Sequence, residues 1–122
     1  MTPINQTSLY GHSNEFLKFV DLFNNGKFPS KILLTGQKGI GKSTLAFHLV
    51  NYVLSKNEEF GYNLKNFTID EKNRTFRLIQ NKSNQNLSLI DIDEQKKNID
   101  IQQIRNLIKN LNKSSFNKKP RF

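Results

Sequence analysis

The strongest constraint on the fold of this 122-residue chain is one glycine-rich stretch, Gly36-Gln37-Lys38-Gly39-Ile40-Gly41-Lys42-Ser43. It fits the pattern G-x-x-x-x-G-K-[ST] without a mismatch. The apolar run Lys31–Thr35 before it predicts a short buried strand, and the residues Ser43–Ser55 after it predict a helix. A strand, a glycine loop and a helix in this order are the setting in which this pattern binds phosphate.

Each residue type in the stretch has a chemical reason to be there. The glycines allow positive φ, so that successive backbone N–H groups can face one anion beside the positive end of the next helix. We therefore predict that the phosphates of ATP bind at Gly36, Gln37, Lys38, Gly39, Ile40, Gly41, Lys42, Ser43 and Thr44. Lys42 is expected to reach the β- and γ-phosphates, and Ser43 to offer its hydroxyl to Mg²⁺. A glycine-rich turn that binds nothing is the alternative, and both flanks of the loop argue against it.

Charge and composition narrow the classes of partner. The formal net charge of +9 suits nucleic acid or another acidic partner, but lysine-rich solvated faces explain it equally well because the charges form no long run. The chain has no Cys, and His12 and His48 alone do not suffice for a structural zinc site. No apolar run of about 18 residues is present, so no membrane partner is predicted and the chain is expected to be cytoplasmic.

Helical spacing of apolar residues predicts two more helices. Ser13 is a candidate N-cap for a helix from Asn14 to about Asn25, with Phe16, Leu17, Phe19, Val20, Leu22 and Phe23 on its buried face. Asp100 is a candidate N-cap for a helix that continues to Asn112, with Ile101, Ile104, Leu107, Ile108 and Leu111 as its apolar stripe. In the helix after the loop, His48 is expected to be a partly exposed structural residue rather than a catalytic one.

The remaining patterns complete an α/β interpretation. Leu87–Asp93 predicts a second strand, and Pro120-Arg121-Phe122 predicts the start of another. Phe67–Ile69 fits a short strand, whereas Arg74–Gln80 fits a strand or a helix equally well. Alternating strands and helices predict an α/β fold of the P-loop NTPase type, a parallel sheet with flanking helices that is incomplete at the C-terminus.

Three stretches carry a resemblance to a known family. They are Leu9-Tyr10-Gly11-His12, the segment from Lys31 through the loop to Ala46, and Ile99-Asp100-Ile101-Gln102-Gln103-Ile104-Arg105. With these, the chain from about Leu9 to Phe122 resembles the N-terminal part of bacterial clamp-loader ATPases of the AAA+ class, and more narrowly the delta-prime subunit of DNA polymerase III. The loop alone is generic, and its order with the other two stretches is more specific.

The resemblance implies that residues 1–122 are the N-terminal part of an AAA+ nucleotide-binding domain, with the Walker B strand, the lid and the collar beyond Phe122. It implies ATP and Mg²⁺ as cofactors, with Tyr10, Gly11 and His12 on the adenine side. It also implies other clamp-loader subunits and the sliding clamp as partners, and primed DNA as an indirect one.

The chain also departs from the family pattern. It has no zinc-binding Cys cluster, and Asn84-Gln85 stands where His-Pro is frequent. Delta-prime subunits often do not hydrolyse ATP, and Ile90-Asp91 is the only candidate for a Walker B end within these residues. ATP binding without measurable hydrolysis by this chain alone is therefore expected. The alternatives are another AAA+ or P-loop module, a small kinase included, and a remnant without function.

Overall fold

The computed structural model describes residues 2–91, 98–111 and 119–122, with side chains described as far as residue 109 in the middle range. Its helical elements are a 3₁₀ turn Pro3–Asn5 and the α-helices α1 (Ser13–Asn24), α2 (Lys42–Leu54), α3 (Arg74–Gln80) and α4 (Ile101–Leu111). The chain divides into two compact units, Met1–Ser83 and Asn84–Phe122. The end of the predicted second strand, residues 92 and 93, and the predicted C-terminus of the last helix at residue 112 lie outside the described residues.

The predicted parallel sheet is wrong. The described part of the chain is helical and contains no strand. The predicted strand Lys31–Thr35 has no regular structure, and 86 % of the Leu33 side chain is exposed. Strands of a parallel sheet are normally covered on both faces and bonded to neighbours, so an apolar run predicts one only where a partner strand exists. The predicted second strand, described from Leu87 as far as Asp91, forms no strand either.

The other strand predictions fail for the same reason. Thr68 makes only isolated antiparallel bridges, one with Ser8 and one with Asn63. In the second unit, the Phe122 N–H donates to the Asn86 carbonyl over 2.6 Å, and the Ser88 N–H donates to the Phe122 carbonyl over 2.8 Å. This pairing extends no further into a strand within the described residues.

The helix predictions are confirmed to within a residue or two at the ends that the structure describes. The one difference at the start of α1 is its N-cap, which is His12 rather than Ser13. The ambiguous segment Arg74–Gln80 is a helix, because the side chain of its N-cap Asn73 accepts the Phe76 N–H over 2.8 Å. At the start of α4, Asp100 Oδ1 accepts the Gln102 N–H over 3.3 Å, as the N-cap prediction requires.

The core of the first unit forms between α1 and α2. Phe16 and Val20 of α1 pack with Leu45 and Leu49 of α2, and all four are buried. The Phe16 ring contacts three other aromatic rings, those of Tyr52, Tyr62 and Phe67. Burying a phenylalanine side chain contributes about 1.5–3 kcal/mol, so this contact fixes the two helices against each other.

Helix α2 is the central element of the first unit, since it packs against α1, α3 and the 3₁₀ turn. Its buried polar residues His48 and Asn51 are both hydrogen-bonded, as buried polar groups must be. The N-terminus of this well-anchored helix carries the glycine loop. No helix among the described residues is long and apolar enough to cross a membrane.

Candidate functional site

The glycine loop, Gly36–Gly41, leads directly into α2. Gly36, Gly39 and Gly41 have φ values of +153°, +88° and +97°, which side-chain-bearing residues rarely adopt. Gly41 is the N-cap of α2 in the left-handed conformation. The sequence prediction that glycines permit positive φ in this loop is therefore confirmed at these three positions.

A close approach inside the loop explains the first glycine. A Cβ atom at Gly36 would overlap the Cδ1 atom of the Ile40 side chain. The Ile40 side chain therefore lies against the Gly36 backbone, and a residue with a Cβ at position 36 would displace that side chain and be strained by the positive φ.

The Lys42 side chain folds back onto the glycine loop. Its Nζ donates a hydrogen bond to the Gly36 carbonyl oxygen over 2.6 Å. A charge-assisted bond of this length holds the ammonium group against the loop backbone, in a solvent-exposed position. The cation thus lies beside the N-terminus of α2, where the helix dipole also favours an anion.

The first N–H groups of α2 have no partner within the helix. The first intrahelical bond runs from the Leu45 N–H to the Gly41 carbonyl, over 2.9 Å. The N–H groups of Lys42, Ser43 and Thr44 precede it, and no side chain caps this terminus. Ser43 is exposed and Thr44 is half-buried. These donors, the Lys42 ammonium and the Ser43 hydroxyl lie within one short stretch of chain.

The Tyr10-Gly11-His12 segment reaches the glycine loop through one side chain. The His12 Nε2–H donates to the Ile40 carbonyl oxygen over 2.6 Å, a contact between residues 28 apart in sequence. Gly11 and His12 both have positive φ, +73° and +56°. The Tyr10 side chain is 77 % exposed. No local pattern could have revealed the His12 contact, because it depends on how α1 packs against α2.

Metal binding at this site would depend on few protein groups. No set of three or more His, Cys, Asp or Glu side chains in the described residues could hold a metal ion. Ser43 supplies an exposed hydroxyl, which fits a Mg²⁺ ion that keeps most of its water and binds through phosphate oxygens.

His48 lies in the core and is fully buried, so the expectation of partial exposure is wrong. Its Nε2–H donates to the Gln6 carbonyl over 2.9 Å, and its Nδ1 accepts the Tyr62 O–H over 2.8 Å. Burial lowers the pKa of His48 below its usual 6.5, although the bond to Gln6 opposes this shift. Burial also raises the pKa of Tyr62. The pair is therefore neutral at pH 7 and holds the 3₁₀ turn region against α2.

Comparison with known proteins identifies the family. A family model described as "DNA polymerase III, delta subunit" matches residues 11–122. The match covers most of the chain and defines a clamp-loader-related protein of DNA replication. The chain belongs to the DNA polymerase III delta subunit family, and thereby associates with components of that polymerase complex. Searches of curated proteins and of solved structures found no match.

Proposed function

We propose that this chain is an ATP-binding subunit of the DNA polymerase III clamp loader, of the delta-prime type. In this role it would act with other clamp-loader subunits on the sliding clamp, and it would meet primed DNA only indirectly. The triphosphate would bind at the glycine loop and the first turn of α2, with Mg²⁺ entering as the nucleotide complex. The family membership supports the polymerase context of this proposal.

The observation that carries the nucleotide proposal is the bond from Lys42 to Gly36. It keeps an ammonium group against the loop in which three glycines have positive φ. An incoming phosphate oxygen, which is charged, would compete well with the neutral Gly36 carbonyl for this donor. The N–H groups of Lys42, Ser43 and Thr44 would add donors to the same anion.

The test is Mg-ATP binding by the purified chain, measured by isothermal titration calorimetry with Lys42→Ala beside it. Removing the ammonium deletes a charge-assisted bond, so we expect affinity to fall at least about tenfold. Lys31→Ala is the matched control, since it removes the same charge from an exposed residue outside the loop. An equal loss of affinity in both variants would show that only the overall positive charge matters. Retained binding in Lys42→Ala would refute the site.

A further inference from the structure

Two groups in this structure are natural partners for the Ile40 carbonyl oxygen. In a helix continued through Gly41, the Thr44 N–H would donate to it, because residue 40 stands four positions before residue 44. Such a helix requires a right-handed Gly41, whereas Gly41 is left-handed here, with a φ of +97°. Here the His12 Nε2–H takes that carbonyl instead, over 2.6 Å. The helix makes its first bond one residue later, from Leu45 to Gly41.

His12 is well placed to hold this contact. Its own carbonyl accepts the Phe16 N–H over 2.9 Å, which fixes its backbone at the start of α1. Phe16 is fully buried in the core between α1 and α2. The His12 ring also lies close to Gly41, since a Cβ atom there would be 3.7 Å from the His12 Cδ2. The imidazole thus has a rigid support on one side and the glycine loop on the other.

We propose that His12 is a positioning residue: by holding the Ile40 carbonyl, it keeps Gly41 in its left-handed conformation and so preserves the glycine loop for phosphate. The Thr44 N–H then remains available to an anion instead of being used by the helix. This inference rests on the proposed phosphate-binding function, and it assigns to His12 a role on the loop backbone rather than on the nucleotide itself.

Two substitutions separate this role from a purely structural one. His12→Asn suits the positive φ of this position but is too short to reach the Ile40 carbonyl. His12→Gln places an amide nitrogen at about the reach of Nε2, but its side chain is less suited to positive φ. The proposal therefore expects Asn to keep the melting temperature and lose the loop geometry. It expects Gln to lower the melting temperature and keep the loop geometry.

The first readout needs no ligand. Amide hydrogen exchange at Thr44 should be fast in the wild type and in His12→Gln. In His12→Asn it should be clearly slower, because Gly41 is then free to become right-handed. The Ile40 carbonyl can then accept the Thr44 N–H and lengthen α2 by one bond. Unchanged Thr44 exchange in His12→Asn, in a chain whose melt shows that it is folded, would overturn the proposal.

The second readout is the affinity for Mg-ATP. Loss of one phosphate donor should weaken binding about threefold to tenfold in His12→Asn, and His12→Gln should restore most of it. If the wild type binds and His12→Asn binds equally well, the inference fails while the proposed function stands. If the folded wild type does not bind, the proposed function fails, and the exchange measurement still decides whether His12 sets the loop.

Discussion

The buried side chain of Asn73 connects three parts of the first unit through hydrogen bonds. Its Oδ1 accepts the Phe76 N–H over 2.8 Å and so caps α3. Its Nδ2 donates to the Phe60 carbonyl over 2.8 Å and to Asn51 of α2 over 3.3 Å. The amide thus uses both its acceptor and its donors, and it joins a helix start, a loop and the central helix without an unsatisfied atom.

We predict that Asn73→Asp lowers the free energy of unfolding by about 2–4 kcal/mol. The carboxylate keeps the acceptor for Phe76 but loses both donated bonds, and it buries a charge opposite the Phe60 carbonyl. Urea denaturation at pH 7 measures the change. Asn66→Asp is the matched control, since it makes the same substitution at an exposed residue and should change stability by less than about 0.5 kcal/mol. Equal stability of the two variants would contradict the network.

For single residues, the sequence predicts those features that depend only on neighbours along the chain, such as backbone conformation. The positive φ of Gly36, Gly39 and Gly41 follows from a motif in which every residue has a local reason. The contacts of His12 with Ile40 and of Asn73 with Phe60 join residues far apart in sequence. They depend on tertiary packing, which periodicity and spacing do not encode.

Among the elements, α3 most needs outside support. It has only seven residues, and isolated helices shorter than about 12 residues are marginal in water. Besides the Asn73 cap, the Glu58 carboxylate accepts the Thr75 N–H over 3.1 Å and also the Thr75 hydroxyl. A carboxylate at a helix N-terminus also interacts favourably with the helix dipole. Glu58 is therefore a second cap, supplied by the loop after α2.

Removing this second cap should loosen α3 before the rest of the unit. We predict that Glu58→Ala lowers stability by about 1–2 kcal/mol and speeds amide exchange across Arg74–Gln80. Glu58→Gln should cost less, because an amide oxygen can still accept the Thr75 N–H. Glu59→Ala, at the exposed neighbouring residue, is the control. Equal exchange rates in α3 for the two alanine variants would show that Glu58 does not support it.

The helices could be predicted from the sequence because their hydrogen bonds are local. Apolar spacing predicted α1, α2 and α4, and N-cap chemistry correctly predicted the start of α4. The ends that the structure describes agree to within a residue or two. The strands could not be predicted in the same way, since a run such as Lys31–Thr35 becomes a strand only when another segment bonds to it. Among the described residues, Lys31–Thr35 pairs with no other segment and the few backbone pairings elsewhere do not extend into strands, so the inference from alternating patterns to a parallel sheet failed at this step.

For the first compact unit as a whole, His48 links folding to pH. It is fully buried, bonded to the Gln6 carbonyl and to the Tyr62 hydroxyl, and its pKa lies below the usual 6.5 because burial disfavours the charged ring. Tyr62 stays protonated throughout the acidic and neutral range, since burial raises its pKa. Within this cluster, His48 is thus the group whose protonation in the acidic range differs between the folded and the unfolded chain.

Acidification should therefore destabilise this unit through His48. Below pH 6.5, the unfolded chain binds a proton at His48 that the folded chain does not. The free energy of unfolding therefore decreases as the pH is lowered. One such proton contributes a slope of up to about 1.4 kcal/mol per pH unit, and the contribution is constant above 6.5.

His48→Gln keeps an amide donor for Gln6 but does not titrate. Because other groups are common to both proteins, the stability difference between wild type and His48→Gln isolates this effect in urea denaturation from pH 5 to 8. A difference that stays constant across that range would show that His48 is protonated equally in the folded and unfolded chain.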